Sequence, residues 1–210
     1  MNKILILLAH PDLAHSTINR RWADELSGSP ERFTVHDLYR ACPDSRIDVQ
    51  REQALVESHA HLVLQFPVYP RGKIDANAEQ KLIEAHDALV WQFPVYWFSS
   101  PPLLKQWQDE VLTYGWAYGS TGHALKGRKV GIAVSAGTPA NDYQAGGAIG
   151  HTVAEALLSF RLAFEYCGAD WQPLFVFHGI DSNASYDAAA RQAVEEGTAH
   201  YVRHLERYFP

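Results

Sequence analysis

The chain has 210 residues, of which 47% are apolar and 20% charged, with a formal net charge of −6. That length and balance suit one domain with a sizeable core, and the absence of a basic run excludes a general nucleic-acid binder. Two cysteines, Cys42 and Cys167, are too few for a disulfide framework and point to a reducing cytosol. Eleven histidines are many, but none has a zincin-like spacing with an acidic neighbour, and His59 and His61 flank Ala60 on a mixed segment. No metal is expected.

Strand-like and helical stretches alternate along the chain. Lys3–Ala9 contains the apolar run Ile4–Leu8, too short for a membrane span and without a cleavage site, and it reads as a buried parallel strand. Ser16–Leu26 has helical spacing, with Ile18, Trp22 and Leu26 on one face, and Phe33–Tyr39 reads as a second, more exposed strand. Leu89–Phe93 is a third strand, followed by an amphipathic helix from Leu103 to Leu112. Lys129–Ser135 is another buried strand, Thr152–Cys167 a long helix, Leu174–Phe177 the last central strand and Tyr186–Tyr208 a terminal helix. Such alternation predicts an α/β fold, a five-stranded parallel sheet with helices on both faces.

The middle of the chain repeats itself. Arg46–Gly72 and Lys73–Ser99 align without a gap at an offset of 27, with 14 identities in 27 positions. One or two would be expected from average composition. The repeated unit is a helix and a strand ending in Phe-Pro-Val-Tyr, at 66–69 and again at 93–96. Only the second copy runs on through Trp97-Phe98-Ser99-Ser100-Pro101-Pro102 into the helix carrying Lys105 and Trp107. The second copy is therefore assigned to the sheet. The first, 46–72, is an insertion within a single domain spanning 1–210, at a sheet edge, against a partner subunit or remodelled as a loop.

Ligands of a doubly wound sheet sit beyond the carboxyl ends of its strands, where three loops stand out. The first, His10–Asn19, offers Ser16 as a helix cap with the free N–H groups behind it, and so an anion site. Neither GxGxxG nor GxxxxGK[ST] is present, so a phosphate would be held by Ser16, Ile18 and Asn19 with His10 beside them. The second, Pro94–Ser99, holds three consecutive aromatics, Tyr96, Trp97 and Phe98, which are costly to expose unless they cover a flat ligand or a partner. The third, Ser135–Tyr143 followed by Gly146-Gly147, lets backbone approach a flat ligand closely. Together they suit a phosphorylated planar ring such as flavin mononucleotide. Each loop taken alone also admits a plain reading: a helix cap, core filling, a strand-to-helix turn.

Gln92–Val111 with Gly115-Trp-Ala-Tyr-Gly119 resembles the flavodoxin-like NAD(P)H:quinone oxidoreductase family, which includes DT-diaphorase and the ancillary proteins of glutathione-gated potassium efflux. So do Ala9-His10-Pro11, His15-Ser16, Asn19, Asp75…Glu79-Gln80, Cys167-Gly168 and Phe177-His178-Gly179. The resemblance implies noncovalent FMN, or alternatively FAD, in a cytoplasmic homodimer with its active sites at the subunit interface. It implies that His10, Ser16, Ile18 and Asn19 hold the flavin phosphate, and that Pro94, Val95, Tyr96, Trp97 and Phe98 line the ring. Ser135, Ala136, Gly137, Thr138 and Tyr143 would contact its other side, with Tyr143 as the candidate catalytic residue. Ser135-Ala136-Gly137-Thr138 departs from the family's Thr-Thr-Gly-Gly, and Ala148 or Ile149 stands where some members carry a histidine, with His151 beyond. The implied reaction is ping-pong: hydride from NAD(P)H to the flavin, then two-electron reduction of a quinone. The alternatives are a regulatory subunit of a potassium-efflux transporter, peripheral at the inner membrane, and a flavin-binding homologue whose activity the insertion impairs.

Overall fold

The computed structural model describes residues 4–41, 74–180 and 186–210. The first copy of the repeat, 46–72, lies outside them. Six parallel strands form one sheet: β1 (Ile4–Leu8), β2 (Phe33–Asp37), β3 (Ala88–Pro94), β4 (Lys129–Ala136), β5 (Asp170–Trp171) and β6 (Phe175–His178). The order is β2-β1-β3-β4-β5, with β6 also on β4. The second copy of the repeat thus supplies the central strand, paired from Ile4↔Ala88 to Leu8↔Gln92 on one side and from Ala88↔Lys129 to Pro94↔Ser135 on the other.

Every residue of β1 and β3 is buried, as expected of strands covered on both faces. Their side chains alternate between two cores. Leu5, Leu7, Leu89, Trp91 and Phe93 meet α4 (Pro102–Val111) and α6 (Leu158–Tyr166). Ile4, Ile6, Ala88 and Val90 meet α1 (Ile18–Ser27) and α7 (Ala188–Tyr208). Trp91 anchors the first core, its ring edge-on to Trp107 at 5.6 Å, Phe160 at 5.6 Å and Phe164 at 4.7 Å. Trp22 anchors the second, against Tyr201 at 4.8 Å and Phe175 at 5.5 Å.

Three sequence expectations need correction. The second strand ends at Asp37, and Leu38 and Tyr39 begin a short helix, α2 (Leu38–Ala41). The Asp37 carboxyl accepts the N–H groups of Tyr39 and Arg40, a local bond that turns the chain out of the sheet. The helix expected over Thr152–Cys167 is two: α5 (Val153–Ala156), opened by a Thr152/Glu155 capping box, and α6, joined at Leu157. There the ladder slips, and the Phe160 N–H bonds Leu157 O three residues back. The last strand, expected as Leu174–Phe177, is in two pieces. Lys129↔Asp170 becomes Ala133↔Phe175, so one extra residue is accommodated between them. This is a bulge at the sheet edge around Pro173, which has no N–H to give.

One buried polar contact ties the second repeat copy to its neighbours. Glu79, on α3 (Ala76–Glu84), is 7% exposed; one carboxyl oxygen accepts the Trp107 indole N–H at 2.7 Å and the other meets His36 Nε2 at 2.9 Å. Removing the indole leaves a buried carboxyl oxygen short of a partner and a gap beside it. Trp107→Phe should therefore lower stability by about 2–3 kcal/mol, read as a lower midpoint in urea denaturation; an unchanged midpoint would show that the contact carries no weight.

Candidate functional site

The three loops do leave the same edge of the sheet. Ala9 N–H makes the last bond of β1, to Gln92 O, and the chain then turns. The Asp12 N–H donates to His10 Nδ1 at 3.1 Å, so the neutral imidazole carries its proton on Nε2. Burial pushes the His10 pKa down, partly opposed by the Asp12 and Asp37 carboxylates. His10 is thus an uncharged Nε2–H donor near neutral pH. A single 3₁₀ turn, Leu13–His15, follows. His15 Nδ1 lies 2.9 Å from both Asp12 carboxyl oxygens, and its hydrogen bond holds that carboxyl below the usual range.

Ser16 Oγ accepts the Asn19 N–H at 3.2 Å and so caps α1, although the helix itself begins at Ile18. Asn19 is 1% exposed. Its Nδ2 donates to Ser135 Oγ at 3.0 Å, joining the first loop to the third, and its backbone carbonyl accepts from Gln92 Nε2. Its Oδ1 has no protein partner. A buried acceptor left so costs about 1–3 kcal/mol.

The second loop carries backbone strain. Val95 N–H makes the last bond to Ser135 O at 2.8 Å; Tyr96 and Ser99 then exchange two hydrogen bonds of 2.9 Å. The two residues between them, Trp97 and Phe98, have φ of 48° and 61°. That is a two-residue hairpin turn with both central residues left-handed, a place that asparagine and glycine normally fill. For each aromatic the conformation costs about 1–2 kcal/mol. Nor is burial the return: Trp97 is 94% exposed and Phe98 47%, so neither fills core.

The third loop runs from buried Ser135 through the 3₁₀ turn Ala140–Asp142 to Tyr143, whose burial raises its pKa and keeps the phenol protonated. Gly147 passes so close that a Cβ there would lie 2.4 Å from Asn141 O.

Between the loops lies a cavity of about 530 Å³, within the usual size of a small-molecule site. His10, Asp12, His15 and residues 16–19 line it from the first loop, Pro94, Val95 and Tyr96 from the second, and Ser135 and Gly137 from the third. Ile180 and Tyr186, from the segment after β6, close it. None of these lining residues is lysine or arginine, and the Asp12 carboxyl is among them; an anion held here would depend on the start of α1. Burial, reinforced by the nearby Asp12 carboxylate, raises the pKa of Tyr96.

Of the expected site residues, His10, Ser16, Ile18, Asn19, Pro94, Val95, Tyr96, Ser135 and Gly137 meet at this cavity. Trp97, Phe98, Ala136, Thr138 and Tyr143 are not among the residues that line it. Asp12, His15, Thr17, Ile180 and Tyr186 were not anticipated. The last two come after the carboxyl end of an expected strand, and the rule that located the other loops applied to this one too. His151 lies at the exposed start of α5, with Nδ1 3.9 Å from Glu155.

A parallel sheet of this order, with a polar cavity at its carboxyl edge, defines a flavodoxin-like protein. The chain belongs to the Flavodoxin_2 family, described as having a flavodoxin-like fold, which it matches over residues 2–202. It is 42% identical over 185 residues to general stress protein 14 of Bacillus subtilis, covering 88% of this chain and 90% of that one. It is 37% identical over 177 residues to the NAD(P)H oxidoreductase YrkL of the same organism (84% and 86%). It is also 35% identical over 191 residues to the glutathione-regulated potassium-efflux ancillary protein KefF of Salmonella (90% and 92%). Among solved structures, general stress protein 14 of Treponema denticola in complex with FMN shares 50% identity at a TM-score of 0.78, covering 98% and 99%. An NADPH-quinone reductase of P. pentosaceus shares 26% at 0.65, covering 94% and 96%.

The strained turn yields a testable trade. Replacing Trp97 by Asn and Phe98 by Gly should raise stability by about 1–3 kcal/mol, since little packing is lost. Chemical denaturation reads this directly; a variant no more stable than the parent would mean that the turn is not strained.

Proposed function

We propose that the cavity holds FMN and that the protein is a flavin-dependent NAD(P)H:quinone oxidoreductase. The observation that carries this reading is the join of the first and third loops. Asn19 and Ser135, hydrogen-bonded to each other, both line a cavity that also takes in residues 16–18 at the Ser16-capped start of α1. FMN offers a phosphate for the helix start and ribityl hydroxyls for the polar side chains along the wall. The FMN complex of the Treponema relative and the oxidoreductase names of YrkL and the P. pentosaceus protein support the same reading.

Bound there, FMN would supply the two-electron chemistry, alternating between NAD(P)H oxidation and acceptor reduction in ping-pong order. The balance is NAD(P)H, a proton and a quinone giving NAD(P)⁺ and a hydroquinone. The chain's own groups bind and orient. Residues 16–19 and the neutral His10 receive the phosphate, and Pro94, Val95 and Tyr96 wall the ring at the end of β3. Ser135 and Gly137 approach it from the other side, and the strained Trp97-Phe98 turn covers the open rim. Tyr96 and Tyr143, both kept protonated by burial, serve as uncharged hydrogen-bond donors, with Tyr143 the candidate catalytic residue.

A homodimer belongs to this reading. Leu158, Leu162 and Tyr166 stand four apart on one face of α6 at 46%, 54% and 74% exposure. Tyr118, edge-on to Tyr114 and tilted against Tyr166, extends the row. An apolar face of that kind is suited to a second copy of the chain. A role beside a potassium-efflux transporter rests on kinship with KefF alone and ranks second; co-purification with such a transporter is its test.

The purified protein should be yellow, release FMN on denaturation, run as a dimer in light scattering, and oxidise NADH or NADPH with a quinone acceptor along parallel double-reciprocal lines. A colourless protein that binds no added FMN and leaves both nucleotides unoxidised would overturn the proposal; a flavin-bearing monomer would overturn the dimer alone.

A further inference from the structure

His178 is the last residue of β6, in register with Ala136 at the end of β4. It therefore sits at the ligand edge of the sheet, though outside the cavity wall. Its Nδ1 lies 3.3 Å from Thr138 O. A carbonyl oxygen only accepts, so Nδ1 is the donor and the ring orientation is fixed. The Thr138 carbonyl belongs to the stretch between β4 and the 3₁₀ turn, where Gly137 is free in φ and Pro139 has no N–H to offer. One residue on, the Gly179 N–H bonds Ala136 O at 3.0 Å. The end of β6 thus grips the base of the third loop at two points.

The same imidazole packs on Tyr143, the rings 5.5 Å apart and tilted by 51°. Tyr143 also meets Phe98, the ring centroids 6.5 Å apart and the planes at 68°. One phenol ring therefore contacts both an imidazole from β6 and a ring from the strained second loop. No hydrogen bond joins the Tyr143 hydroxyl to His178 among the described contacts, so the imidazole acts on the phenol by packing and by fixing the backbone that carries it.

We propose that His178 is a positioning residue for the candidate site: it pins the third loop through Thr138 and, by packing against Tyr143, holds that ring beside the cavity. Without the pin, the Gly137–Pro139 stretch must be ordered when a ligand binds, and affinity falls by the cost of that ordering. The proposal rests on the FMN reading above.

The test is a double-mutant cycle on FMN affinity, measured by quenching of flavin fluorescence as apo-protein is added. The lost hydrogen bond and loop order should make FMN binding by His178→Ala roughly three- to tenfold weaker than in the parent. His178→Asn, whose side-chain amide can reach the same carbonyl, should recover most of the loss. In a Tyr143→Ala background, His178→Ala should weaken binding less than it does in the parent, because the packing part of its effect passes through that ring while the Thr138 bond is lost in both. Independent effects that multiply, an Asn variant as weak as the Ala variant, or an Ala variant that binds like the parent would each overturn the role of His178. A parent protein that binds no FMN would instead overturn the functional reading, and this inference with it.

Discussion

The arrangement of the site depends on the pairing of β3 with strands on both sides. Seven consecutive residues, Ala88–Pro94, are buried and hydrogen-bonded to β1 and β4. A parallel ladder fixes where each strand stops relative to its neighbour, and here the stops are nearly level: Ala9 on Gln92, Val95 on Ser135. Three chain segments therefore leave the sheet side by side, and Pro94 ensures that the middle one cannot continue the ladder in the usual way. The side chains that fasten the edge, Asn19 to Ser135 and Gln92 to the Asn19 backbone, can reach only because the register is what it is.

On this rigid frame the site departs from local preference in two places. Two bulky aromatics occupy left-handed positions in a tight turn and remain exposed. A buried asparagine oxygen goes without a partner. Neither feature stabilises the folded chain. Backbone strain of the Trp97-Phe98 kind clusters where ligands bind.

Much of this was legible in the residues. Runs such as Ile4–Leu8, wholly apolar, and Leu89–Phe93, apolar but for Gln92, have few other fates than buried strands, and their alternation with amphipathic stretches implies the doubly wound sheet. The two repeat copies were told apart by the residues after Phe-Pro-Val-Tyr, since only the second runs on through Trp97–Pro102 into the helix carrying Lys105 and Trp107. The features that escaped were set by longer-range or finer geometry. The bulge at 172–174 is visible only against the register of β4. The slip at Leu157 leaves the apolar spacing of Val153, Leu157, Phe160 and Phe164 unchanged, so periodicity is blind to it. The turn at Trp97-Phe98 contradicts residue preference, and no propensity argument would put those aromatics at positive φ. His178 belongs to a recognisable motif, but its contact with Tyr143 spans 35 residues and has no local signature.

The proposed functional reading turns on a phosphate-and-ribityl cradle at the start of α1, with Ser16, His10 and Asn19 and, among the described lining residues, no lysine or arginine. Its most direct test compares the affinity of the apo-protein for FMN and for riboflavin, which differ only in the phosphate. FMN should bind at least about a hundredfold more tightly, equivalent to two charge-assisted hydrogen bonds of about 1.5 kcal/mol each. Equal affinities for the two would contradict the cradle, since it would then be holding nothing.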